Sequence, residues 1–313
     1  MGATYNQMAA RCTKGARYLW AMAGTPHVPP TLEHTFQGHQ GAIYAVAWHV
    51  ETQSWVTAAG DGIVARWTPG TEDAVALAQH NGAFFSVASH GSFGVLAGHA
   101  TGDVLLLGGT APQTLRGHDA AVHAFRVSRN GGFWSGDGHG VVKHWALDAG
   151  TRRATCVWSC HTDLGKIRHI GHHPEGLLVA TGSGAWAVLG KDGQLRHVSP
   201  CHRRSCYWAW WHPQKNVVLS TGQDGELVVS DASRVHLERP LHLGAIYRGC
   251  VKDGTLWTAS RDKSVKAWSV DTLDLRTRID RAHPRSVNAL AFGGPNGTDL
   301  ATAGDDRTLK VWR

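Results

Sequence analysis

Residues 38–67 run Gly38-His39-Gln40-Gly41-Ala42, then Ile43-Tyr44-Ala45-Val46-Ala47-Trp48-His49, Val50-Glu51-Thr52-Gln53, Ser54-Trp55-Val56-Thr57-Ala58-Ala59, Gly60-Asp61-Gly62 and Ile63-Val64-Ala65-Arg66-Trp67. Apolar residues alternate with a period of two over short runs, and Gly and Asp punctuate them, which is the signature of strands joined by tight turns. Strands this short cannot bury their faces alone, so the useful question is whether the unit repeats. It does. A His preceded by a small residue or a turn recurs at His39, His80, His118, His161, His202, His242 and His283, with spacings of 41, 38, 43, 41, 40 and 41 residues. Alternation of the kind seen at Ile43–Trp48 returns at Val287-Asn288-Ala289-Leu290-Ala291-Phe292, and each unit has room for four strands.

A second pattern is locked to the first. A Ser or Thr precedes an Asp by four residues and a Trp by ten in Thr57, Asp61, Trp67, in Thr258, Asp262, Trp268 and in Thr302, Asp306, Trp312. With Gly38-His39 and Gly117-His118 opening two of the units, residues 32–313 resemble the WD-repeat β-propeller family. The resemblance implies an all-β fold: a single seven-bladed propeller of four-stranded blades, with residues 1–31 as an N-terminal arm. It also implies that His, Ser/Thr, Asp and Trp of one unit form a hydrogen-bonded tetrad. A buried imidazole needs partners at both nitrogens, which such a tetrad supplies. The spaced histidines are therefore expected to be structural. The sequence stops at Arg313 after the third strand of unit seven, and Leu32-Glu33-His34-Thr35-Phe36 is the expected fourth strand that closes the ring. Closure would remove the open sheet edges.

Several units depart from the pattern. The Asp of the closing Trp-Asp pair is replaced by Thr68, Ala146, Ser269 and Arg313. Unit three offers Ser135, His139 and Trp145, with His in the Asp slot, and unit five has Ser220 and Asp224 but Ser230 in place of Trp. Unit two offers Ala97, Thr101 and Leu107, and unit four shortens its turn to Gly182-Ser183-Gly184, so these two are assigned by spacing.

Composition agrees with one large sheet-built domain, although 313 residues also leave room for two ordinary ones. With 38 Gly, 14 Trp and 3 Met the chain is turn-rich and aromatic-packed, which excludes disorder and collagen. The net charge of +7 is scattered, which argues against a nucleic-acid partner. Residues 1–32 hold Arg11, Lys14 and Arg17 and no acid, so this stretch is either a plain surface arm or an organelle transit peptide. It has neither the apolar core of a secretory signal nor, with Asn6, the residue that myristoylation prefers. Six cysteines in a chain this long make no disulfide scaffold, and a cytoplasmic setting is the default expectation.

Candidate chemistry reads as structural at each point. Cys156-Val157-Trp158-Ser159-Cys160-His161 is too widely spaced for haem attachment, and Cys160 and Cys201 stand where other units carry the Gly before the repeat His. His169, His172 and His173 suggest zinc, yet His173-Pro174, His212-Pro213 and His49 share one turn position of the repeat. Trp208 and Trp210 occupy slots filled elsewhere by Ala or Ser; they either refill the volume lost at Ser230 or face a ligand. Neither cofactor nor metal is expected, and no enzymatic constellation is visible. The family resemblance implies that the fifth residue after the repeat His and the residue before the turn Asp point to the channel mouth. A protein or peptide partner is accordingly expected at Tyr44, Phe85, His123, Tyr207, Tyr247 and Asn288 from the first set, with Arg168 taking that place in the longer loop of unit four, and at Gln223, Arg261 and Asp305 from the second. The alternative is that these aromatics only plug the channel, or that the channel serves an enzyme or a small-molecule sensor.

Overall fold

The computed structural model describes residues 28–71, 73–108, 112–128, 131–151 and 153–313. Its strands form seven four-stranded antiparallel sheets. Blades one to six each take four consecutive strands, with inner strands Ile43–His49, Phe84–Ser89, Val122–Val127, Ile167–His173, Cys206–His212 and Ile246–Lys252. Blade seven consists of Val287–Gly293, Asp299–Gly304, Leu309–Trp312 and, on its outside, Leu32–Phe36. Its last pairing sets Leu32 opposite Trp312 and Phe36 opposite Leu309, as the sequence predicts. Thr31 extends that pairing by exchanging backbone bonds with Arg313. Each inner strand packs on the inner strands of both neighbouring blades, and Ile43–His49 meets Val287–Gly293 to close the ring. The proposed 1–31 arm falls, for residues 1–27, outside the described residues. Among the described residues no helix is long and apolar enough to cross a membrane.

Seven apolar clusters lie between blades rather than within them. Phe36, Ile43, Trp55, Trp67, Ala289 and Leu309 fill the seam between blades seven and one, and Leu96, Val104, Val122, Phe133 and Trp145 fill that between two and three. The second and third strands are buried on both faces; every residue of Ser54–Ala59 and Val217–Gly222 is buried. This explains their near-continuous apolar sequence, in contrast with the exposed outer strand Leu195–Pro200.

Tetrads hold four blades. In blade one, Nδ1 of His39 lies 2.8 Å from Asp61 and Nε2 lies 2.7 Å from the Thr57 hydroxyl, which also accepts the Trp67 indole N–H at 2.8 Å. Blades six and seven repeat this with His242, Asp262, Thr258 and Trp268, and with His283, Asp306, Thr302 and Trp312. Burial pulls the Asp61, Asp262 and Asp306 carboxyls upward. Their His partners and turn amides more than offset this, so all three lie below the ordinary value.

The other blades correct the sequence reading. Blade three has a complete tetrad, with the carboxylate supplied by Asp137 at 2.9 Å from His118 rather than by the Asp slot held by His139. In blade four the slot of the repeat His belongs to Thr162, whose backbone N–H bonds Gly140 as that of His80 bonds Gly62. His161, one residue earlier, is exposed and pairs with Asp163, so Cys160 does not occupy the slot before the repeat His, whereas Cys201 does. One extra residue in the following loop restores the register by Ile167. Blade five keeps His202, Asp224 and Ser220, and its missing indole comes from a neighbour: Trp186 of blade four donates to Ser230 at 2.8 Å. Trp208 and Trp210 instead pack in the seam between blades five and six. Trp208 lies so close to Gly249 that a Cβ there would sit 2.5 Å from its ring.

Candidate functional site at the channel mouth

Every inner strand is interrupted by a β-bulge after its first residue. The register shifts between Ile43 and Ala45, Phe84 and Ser86, Val122 and Ala124, Ile167 and His169, Cys206 and Trp208, Ile246 and Arg248, and Val287 and Ala289. The skipped residues are Tyr44, Phe85, His123, Arg168, Tyr207, Tyr247 and Asn288. A bulge leaves its extra residue outside the ladder and re-aims its side chain. Here it does so seven times toward one place, because all seven line the same cavity of about 410 Å³.

Their side chains meet in blade order. Tyr44 and Phe85 have ring centroids 5.1 Å apart, Phe85 and His123 4.9 Å, and Tyr207 and Tyr247 5.3 Å in an edge-on contact. The Arg168 guanidinium stands 4.9 Å over the Tyr207 ring. Asn288 donates to the Ile43 carbonyl at 3.1 Å and to Asp305 at 2.7 Å, tying blade seven to blade one. Lys166 and Arg248 complete the charged lining. Burial, then the charges of Arg168 and Lys166, lower His123 to about 4, so it is neutral near pH 7.

Of the ten positions expected at this mouth, eight line the cavity and two do not. Gln223 and Arg261 are outside its lining, Gln223 half-buried and Arg261 exposed. Sequence counting missed Lys166 and Arg248. Arg248 stands in the slot held by Ala45, Ser86, Ala124 and Ala289 in four other blades, a departure visible in the sequence once the register is known.

The suspected metal motifs do not converge. His172 is exposed, while His173 is buried against Trp211, at 4.5 Å between centroids, as alternation along one strand requires. Among the described residues, Cys201, His202 and Cys206 do bring two thiols and an imidazole within 4.8 Å. Both nitrogens of His202 are already engaged, however, by Asp224 and Ser220. The Cys206 thiol bonded to Cys201 lowers Cys201 to about 7, and burial pushes Cys206 up.

Comparison with known proteins agrees with this architecture. A family model described as "WD domain, G-beta repeat" matches residues 30–68 and 275–313. WD repeat-containing protein 55 of Danio rerio is 30% identical over 110 residues, which is 33% of this chain and 28% of that protein. Kinesin-like protein KIF21B of Homo sapiens is 33% identical over 90 residues, covering 28% of this chain and 5% of the kinesin. The chain thus aligns with less than a third of either relative. The crystal structure of the WD40 β-propeller domain of Doa1 superposes with a TM-score of 0.78 at 18% identity, over 92% of this chain and 97% of that one. The repeat spacing, the ring of seven four-stranded blades and these matches agree: the chain has the WD40 β-propeller fold, and its first and last repeats match the WD-repeat family model.

Proposed function

We propose that the protein is a non-catalytic interaction scaffold that holds a protein or peptide partner at the channel mouth. The WD40 propeller fold supports an interaction-scaffold role in general. The observation that carries the finer reading is the set of seven bulges that turn seven side chains into one cavity, among them four aromatic rings and an arginine. Aromatic and Arg side chains around a recess supply contact area at low entropy cost, the usual make-up of a binding hot spot. The lining offers no activated nucleophile: the Ser86 hydroxyl is spent on the Val122 carbonyl at 2.8 Å. The low cysteine content fits a cytoplasmic setting within the same reading.

Partner capture with tagged protein from its native cell, followed by Tyr207→Ala and Tyr247→Ala, tests this. Each substitution should weaken the captured partner about thirtyfold, the effect of losing roughly 2 kcal/mol at a hot spot. Unchanged affinity in both, with the fold intact, would move the partner to another face. The cavity volume also falls in the range of small-molecule sites. Native mass spectrometry of the purified protein addresses that second reading, for which a stoichiometric bound small molecule is required.

A further inference from the structure

The charges at the channel mouth are out of balance. Lys166, Arg168 and Arg248 line the cavity, and Asp305 is the one carboxylate of the lining, already accepting from Asn288. Arg168 contacts the Tyr207 ring, but its Nε is buried with no hydrogen-bond partner. Arg248 is half-buried in the same lining, and burial holds its guanidinium below the ordinary value. Neither arginine has an ion pair among the described residues. A second neighbour reports the same field: after burial, Arg248 and Arg126 are what hold His169 well below the ordinary value.

Desolvated guanidinium groups without a counter-charge are costly, and an anion placed between them recovers that cost through charge-assisted, often bidentate, hydrogen bonds. The cations are also not an inevitable part of the repeat. Blade four inserts a residue ahead of Ile167 in the loop that presents Lys166, and blade six places Arg248 where four of the other blades have Ala or Ser. Tyr44 and Phe85 of blades one and two line the same cavity, and the rings of Tyr207 and Tyr247 stand within the cationic sector, Tyr207 from the blade between those of Arg168 and Arg248.

Resting on the reading of this mouth as a peptide site, we infer that its occupant is an acidic peptide segment, one oxyanion of which, a side-chain carboxylate or a phosphate, enters between Arg168 and Arg248. The rings of Tyr44, Phe85, Tyr207 and Tyr247 cover the flanking residues of the segment. Arg supplies the planar donor fork suited to either oxyanion, and the exposed Lys166 adds attraction without geometry.

The test uses the full chain and fluorescein-labelled nine-residue peptide pools, degenerate except for a fixed centre of Glu, Gln, phosphoserine or Ser, read by anisotropy at constant ionic strength. A labelled oligothymidylate of similar length is a fifth probe. Binding of the Glu pool at least tenfold tighter than the Gln pool, or of the phosphoserine pool at least tenfold tighter than the Ser pool, is expected. The pair with the larger ratio identifies the oxyanion. Arg168→Met and Arg248→Met should each bring the ratio close to one. Arg168 is a bulge residue outside the strand ladder, so Arg168→Met keeps the test decisive if Arg248→Met fails to fold. Charged and neutral pools binding equally, with both weakened by Tyr207→Ala, would overturn the acidic preference yet keep the peptide site. Failure of every pool to bind would overturn both readings. Retention of the tenfold ratio in Arg168→Met, or oligothymidylate binding more tightly than any peptide pool, would overturn the inference.

Discussion

Blades two and seven share one strand plan and differ in how they satisfy a buried imidazole. In blade seven, His283 bonds Asp306 through Nδ1 and Thr302 through Nε2, and Trp312 closes the network. In blade two, Ala97 and Leu107 replace the hydroxyl and the indole, and His80 is exposed. The buried imidazole nearest His80 is that of His99, at the strand end, whose Nδ1 meets Thr101 at 2.8 Å while its Nε2 is buried without a partner. Blade two compensates with apolar mass, since Val104–Leu107 is buried throughout. The ring thus tolerates blades that have no tetrad and rely mainly on packing, provided that neighbouring blades supply the directional network.

The largest test of this contrast removes the best blade's outer strand. Deleting residues 1–37 should expose the edge of Leu309–Trp312 and give aggregation on size exclusion or loss of a cooperative melt, whereas deleting residues 1–25 should leave both nearly unchanged. A monomeric 1–37 deletion with the parental melting temperature would show that the seam contributes little.

Next in size, Asp262→Ala strands His242 and should cost about 1–3 kcal/mol in denaturant unfolding. The cost should depend on pH with a definite sign. The Asp262 carboxyl lies below its ordinary value of 3.8 when folded, so its contribution is complete above about pH 4 and declines as the pH falls further toward the folded value. The gap between parent and variant should therefore narrow at pH 3, and a gap that is constant from pH 7 to pH 3 would refute the assignment.

Trp186→Phe should cost about 1–2 kcal/mol, because Ser230 loses the indole N–H and the ring shrinks. Ser230→Ala in the Trp186→Phe background should then add little in a double-mutant cycle, and full additivity would deny the cross-blade bond. The smallest effects belong to the blades without tetrads. Thr101→Ala removes one half-buried bond to His99 and should cost about 0.5–1 kcal/mol. Ser183→Ala in blade four should stay within about 0.5 kcal/mol. Equal shifts at Asp262, Thr101 and Ser183 would erase the distinction between the two kinds of blade.

The limits of sequence reading follow the same division. The strands of the repeat were legible because alternation and spacing encode them, and the ring closure at Leu32–Phe36 and the tetrads of blades one, six and seven were legible through the family resemblance that this spacing carries. The seven bulge residues of the cavity were legible through the same resemblance, since each bulge falls at a near-constant count from the repeat His, whereas Lys166 and Arg248 were missed and Gln223 and Arg261 fall outside the lining. Asp137 was not legible: a carboxylate two residues before the expected slot, at the strand end, reaches the same imidazole, and linear spacing records positions rather than reach. Thr162 was hidden by the neighbouring His161, which offers the right residue type one place too early. The destinations of Trp186 and Trp208 depend on what the adjacent blade leaves empty, Ser230 in one case and Gly249 in the other, and no pattern within a single unit states that.

Trp186 and Ser230 also constrain how such a ring can change over evolutionary time. Repeat arrays grow and diversify by duplicating or exchanging units. Unit five transplanted beside a blade without a tryptophan at the position of Trp186 would carry a void, and unit four placed before a unit with its own closing tryptophan would bring two indoles to one space. Residues 167–240 therefore behave as a single heritable cassette, and chimaeras assembled from this chain should be cut outside it.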